Sequence, residues 1–171
     1  MDKAFRYYCR ALEALIAAGL FVMVVLVFGN VALRYIFNSG ISVSEEMSRW
    51  FFIWITFLGA IVALRERAHL GTSMLLDRLN STGKKVCLVI AYVMMIGTSW
   101  LVLRGAWEQA RINLDVTAPS SGASMAIFYA SGIVFAVSAI LILLADLWGL
   151  VSGRITPEAL AAMRESEEEP A

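Results

Sequence analysis

A single histidine, two cysteines and three prolines are all that this 171-residue chain offers of those types. One histidine rules out a haem held by two histidines, and a lone imidazole makes no catalytic constellation without a nucleophile or carboxylate arranged around it. Cys9 and Cys87 have no histidine nearby to complete a metal site, and two thiols make no disulfide framework. They read as free thiols. Charge is also scarce: Asp, Glu, Lys and Arg make up 16% of the chain and cancel to a formal net charge of zero. No basic run interleaves with aromatics, so a nucleic-acid surface is excluded. No motif calls for a cofactor, metal or catalytic residue.

What remains is apolar. Hydrophobic residues make up 60% of the chain, and mean hydropathy is +0.74. A soluble domain of this size leaves too much of its surface in water to hide that content. Four uncharged runs carry it: Ala14 to Leu33, Trp50 to Leu64, Val86 to Leu103 and Val116 to Ala145. A membrane-spanning helix needs roughly 20 apolar residues. The second run reaches that length when Glu46, Arg49 and Arg65 extend their charged ends to the interfaces. The expected fold is an all-α integral membrane protein with four transmembrane helices at about 12–37, 43–66, 84–110 and 121–151. Residues 1–155 form one membrane domain, and residues 156–171 form an acidic, mobile tail. Lys3, Arg6 and Arg10 before the first run resemble a signal peptide. The run is long and has no small-residue cleavage site, so it reads as an uncleaved signal anchor.

Four spans put the N-terminus, the middle connection and the C-terminus on one side. Ten basic residues lie there, among them Lys3, Arg65, Lys84 and Arg154, against Arg34, Arg49, Arg104 and Arg111 on the other. The positive-inside rule places both termini in the cytoplasm. In the connection from His69 to Lys85, Leu70, Met74, Leu75 and Leu79 share one side, predicting a short amphipathic helix on the inner membrane surface. Asn38-Ser39-Gly40 predicts a tight turn after the first helix. Ser42 with Glu45 reads as a capping box opening the second. Pro119 and Gly122 predict an irregular connection before the fourth helix, with Ser121 or Ser124 as its cap.

The charged groups sit at helix ends. Glu45 and Glu46 are spaced to pair with Arg49 within one helix, and both lie where the helix dipole favours acids. A desolvated arginine at Arg49 also suits a carboxylate from a partner subunit. Arg65, Glu66, Arg67 and His69 close the same helix, as structural or headgroup-facing residues. Arg104, Glu108 and Arg111 are spaced as an ion-pair stripe, or as a docking surface outside the membrane. Trp50, Trp54, Phe57 and Ile61 recur on one face of the second helix. That face packs either within the chain or against a larger membrane partner. The middle thirds of the spans hold no ionisable residue and no proline, and their glycines come singly. A translocation pathway usually needs an ionisable group or a broken helix there.

The segment from Ser44 to Leu70 resembles the small membrane subunit, the DctQ-like component, of tripartite ATP-independent periplasmic (TRAP) transporters. The resemblance rests on Glu45 and Glu46, then Arg49, Trp54, Gly59, Arg65, His69 and Leu70. The family often places an acid shortly after the histidine, whereas this chain has Ser73 there and no acid until Asp77. The resemblance implies a bacterial inner-membrane complex. A large subunit carries the substrate and sodium sites and moves by an elevator-type motion. A soluble periplasmic protein delivers an organic acid, of dicarboxylate or sialic acid type. The small subunit is part of the fixed scaffold. On that view Glu45, Glu46, Arg49, Trp50, Trp54, Phe57, Arg65 and His69 face the large subunit. Arg104, Glu108, Arg111 and Asp115 help receive the binding protein. The rival readings are a self-contained homodimeric multidrug-type exporter, whose nearest coupling carboxylate is Glu13, and a cofactor-holding membrane subunit.

Overall fold

The computed structural model describes residues 2–65 and 81–152. Four helices make up almost all of it: α1 (Asp2–Phe37), α2 (Ser42–Arg65), α3 (Ser81–Ile112) and α4 (Ala126–Val151). All four are long and apolar enough to cross a membrane. At ~1.5 Å per residue even α2 spans about 36 Å, more than the ~30 Å of a hydrocarbon core. The expected inner-surface helix falls largely on residues 66–80, and the acidic tail is residues 156–171. Both lie outside the described residues, as does His69.

The connections form where the backbone must leave helical geometry. Asn38 takes φ +51°, a left-handed conformation that asparagine tolerates. Ser39 N–H then closes on Leu33 O at 3.3 Å, so α1 and α2 form a tight antiparallel hairpin. The α3–α4 connection is more ordered than expected. Thr117 and Ser124 form an antiparallel bridge. Ala118 N–H donates to Ala123 O at 2.8 Å and Met125 N–H donates to Val116 O at 2.9 Å. Gly122, at φ +70°, supplies the reversal between them. This fold consumes residues 113–125, so α4 starts at Ala126 rather than near residue 121.

Packing runs in the spatial order α1, α2, α4, α3. α4 is central because one side of it is small: Ser131, Gly132, Ala136 and Ala139 are buried, and small residues let helix backbones approach. A Cβ on Gly132 would lie 3.3 Å from Ala106 Cβ and 3.8 Å from Phe57 Cζ. Further along α4, Leu143 and Leu150 pack with Leu88 and Tyr92 of α3. Leu12, Ile61 and Ile142 join α1, α2 and α4. The outer faces of α1 and α3 stay apolar and open, as at Phe21, Phe28, Val93 and Leu101.

Candidate functional site

Polar chemistry gathers at the loop end, the end of the bundle that carries both hairpin connections. It begins with Asn30, a polar residue inside the apolar run of α1 and only 9% exposed. Its Oδ1 accepts the Ile41 N–H at 2.7 Å, and its Nδ2 donates to Glu45 Oε1 at 3.2 Å. The first bond satisfies a backbone donor at the start of α2, which helix geometry leaves without an internal partner. Arg34, one turn further along α1, lies 3.9 Å from the same Glu45 oxygen. Ser44 Oγ donates across the hairpin to Leu26 O at 2.9 Å. Three side chains thereby tie α1 to α2 within about two helical turns.

Glu46 makes a second tie. Its Oε2 accepts the Ser120 N–H at 3.0 Å, and its Oε1 accepts a bond from the Ser121 hydroxyl. The carboxylate thus holds the α3–α4 connection against the start of α2. Trp50 and Ala118 are buried at this junction. Ser124 holds the far side of the connection, donating to Leu114 O at 2.8 Å and accepting the Ala126 N–H at 3.2 Å.

These contacts correct three expectations. Glu45 and Glu46 do not turn along α2 to Arg49: one reaches α1 and the other reaches the α3–α4 connection. Glu45 does not close a capping box with Ser42 either: it accepts from Asn30, whose own oxygen takes the Ile41 N–H ahead of the helix. Ser121 is taken up by Glu46 and caps nothing. Ser124 serves the first N–H of α4 from one residue ahead of the N-cap, Met125.

The remaining expected site residues separate by face. Phe57 packs against Phe135 of α4 with ring centroids 5.6 Å apart and the rings tilted by 44°, and Ile61 is fully buried. Trp54 is half-buried on the same side of α2. The aromatic face is therefore occupied within the chain. The opposite face of α2 carries Phe52, Thr56, Gly59 and Ala63. Phe52 is exposed, and nothing lies within 4 Å of a Cβ built on Gly59. Arg65 ends α2, half-buried. Arg104, Glu108 and Arg111 are exposed on α3, as is Asp115 beyond it. The first three form no ion pair among the described residues. They share that end of α3 with Trp100 and Trp107, both more than half exposed. Asn30, Ser120 and Ser121 were not singled out as site residues. Asn30 alone left a readable signal, an amide inside an otherwise apolar run.

Among the described residues no group of His, Cys, Asp and Glu is placed to hold a metal. The arrangement joins helices and presents surfaces. Residues 23–153 match the family described as tripartite ATP-independent periplasmic transporters, DctQ component. A Haemophilus influenzae protein assigned by name to the TRAP transporter small permease proteins is 42% identical over 135 residues, covering 78% of this chain and 84% of the relative. A second Haemophilus influenzae protein of the same name is 32% identical over 136 residues, covering 80% and 82%. The C4-dicarboxylate TRAP transporter small permease protein DctQ of Vibrio cholerae is 30% identical over 96 residues, covering 56% of this chain and 41% of the relative. A match across most of the four-helix bundle, together with these relatives, shows that the chain belongs to the DctQ family of TRAP transporter small permease subunits.

Proposed function

We propose that this chain is the non-catalytic small subunit of a sodium-driven, binding-protein-dependent secondary transporter for organic acids. It lies in the bacterial inner membrane with both termini in the cytoplasm, and it forms part of the fixed scaffold for a large elevator-type subunit. One observation carries this reading. Among the described residues, every non-helical backbone conformation with positive φ, at Asn38 and Gly122, lies in a connection, and the four helices run unbroken through their spans. A substrate site at the bilayer midplane normally needs an interrupted helix or an ionisable group there. An unbroken bundle pinned at one end suits a stator.

The packing refines the interface expected from sequence. Trp50 and Phe57 support the bundle from within, so the large subunit seats on the opposite face of α2. There Phe52 offers apolar area, and Thr56, Gly59 and Ala63 permit a close helix approach. Trp54, Arg65 and His69 belong to the edges of that contact. Arg104, Glu108, Arg111 and Asp115 at the loop end receive the periplasmic binding protein. The Vibrio cholerae relative carries C4-dicarboxylate in its name, so dicarboxylates are the first substrates to test and sialic acid-type sugar acids the second.

The test is a tagged purification in mild detergent with mass spectrometry of what accompanies the chain. A large polytopic protein in about equal amount is expected. The reconstituted pair should take up an organic acid only with a sodium gradient and a binding protein. A chain that purifies alone, or only with itself, overturns the scaffold reading.

A further inference from the structure

The outer side of the α1–α2 hairpin holds an open cleft of about 310 Å³ next to the loop end. Arg34 lines it from α1 and Arg49 from α2, while Leu26, Val27 and Val31 make its apolar wall. The one carboxylate in the cleft, Glu45, is already engaged by Asn30 and by Arg34. Arg49 has neither a carboxylate nor a hydrogen-bond partner among the described residues. A guanidinium near an apolar surface gains most from a planar pair of anionic oxygens, as in a phosphate or carboxylate.

We propose that this cleft binds the phosphate headgroup of a membrane phospholipid, with Arg49 as its principal contact and Arg34 as the second. Depth favours a lipid. Arg49 lies seven residues into α2, about 10 Å from the start of the helix, and directly ahead of the uncharged run from Trp50 to Leu64. The wall below the arginines is aliphatic and continues into exposed α1 residues such as Val24 and Val27, a path for an acyl chain. A soluble anion would satisfy the arginines and make no contact with that wall. A phosphodiester with its chains covers both. The lipid would then fill the seam beside the exposed face of α2. This inference requires only that the bundle lies in a membrane, so it stands or falls separately from the stator reading.

The test uses the full chain, purified in detergent, stripped of lipid and titrated with dioleoylphosphatidylglycerol. Retention by native mass spectrometry and the shift in thermal midpoint are the readouts. The wild type should retain the phospholipid and be stabilised by it. Dioleoylglycerol, which lacks the phosphate, and millimolar inorganic phosphate should do neither. Arg49→Gln should weaken apparent affinity about tenfold, as expected for loss of a charge-assisted contact. Arg49→Lys should lose less, and Arg10→Gln at the opposite end should match the wild type. If Arg49→Gln fails to fold, Arg34→Gln on the other wall and Val27→Trp in the acyl path must each reduce retention. Equal binding by Arg49→Gln or by dioleoylglycerol, a shift reproduced by inorganic phosphate, or a co-purifying protein that contacts Arg49 in place of lipid would overturn the proposal.

Discussion

Asn30 uses both ends of one amide, accepting from Ile41 N–H and donating to Glu45. Replacing it with leucine keeps the bulk and removes both bonds, leaving a helix-start N–H without its partner. Asn30→Leu should cost roughly 1–3 kcal/mol, read as a lower thermal midpoint in detergent. A midpoint equal to the wild type would show that solvent or lipid satisfies Ile41 instead. Glu46 works between elements distant in sequence. Glu46→Ala should leave the helices intact but release the α3–α4 connection, so the Ser120 amide exchanges hydrogen about tenfold faster. Unchanged protection at Ser120 would mean that the local bonds of the connection hold it unaided. Spacing along α2 pointed both acids at Arg49, and the reason it misled is energetic. An i,i+4 ion pair is worth only about 0.2–0.5 kcal/mol. Backbone and hydroxyl donors from another element, once brought within reach, outcompete it, and no local pattern announces them.

Helix pairing in this bundle depends on where side chains are small. Gly132 of α4 sits against Ala106 and Phe57, a three-helix junction with no room for branching. Gly132→Leu should separate α3 or α2 from α4 and destabilise by about 1–3 kcal/mol, the usual cost of overpacking. Gly19→Ala is the contrast. Its Cβ would meet side chains alone, Ile55 Cδ1 and Cγ1 at 3.1 Å and Phe51 Cδ1 at 3.8 Å. A rotamer change absorbs that, so the thermal midpoint should stay close to the wild type. Equal effects of the two substitutions would show that the α1–α2 contact is as rigid as the α3–α4 contact. At this scale much was readable from the chain. The four helices follow from uninterrupted apolar length, and the Asn38 turn follows from a residue that tolerates left-handed φ. The bridge in the α3–α4 connection was not readable, because it rests on backbone bonds and on Glu46, more than 70 residues away.

The whole bundle presents two kinds of apolar surface: broad aliphatic faces on α1 and α3, and a narrower small-residue face on α2. If the second seats the large subunit, Gly59→Leu should leave the isolated chain as stable as the wild type, since nothing packs there. It should nonetheless reduce recovery of the partner several-fold in the tagged purification, because the added side chain keeps a facing helix from close approach. Full recovery would move the interface to another face. Composition and the length of the uncharged runs alone determined that this is a four-span membrane protein with its charges at the helix ends, since in lipid a backbone can satisfy its own hydrogen bonds only as unbroken helices or a closed barrel. The short Ser44-to-Leu70 pattern was enough to indicate the family. The tertiary structure alone decided which face of α2 is occupied by α4, which carboxylate holds which element, and that Arg49 keeps no carboxylate partner among the described residues. Those choices depend on contacts between residues far apart in the chain, and the order of residues along a helix sets its faces without saying what will cover them.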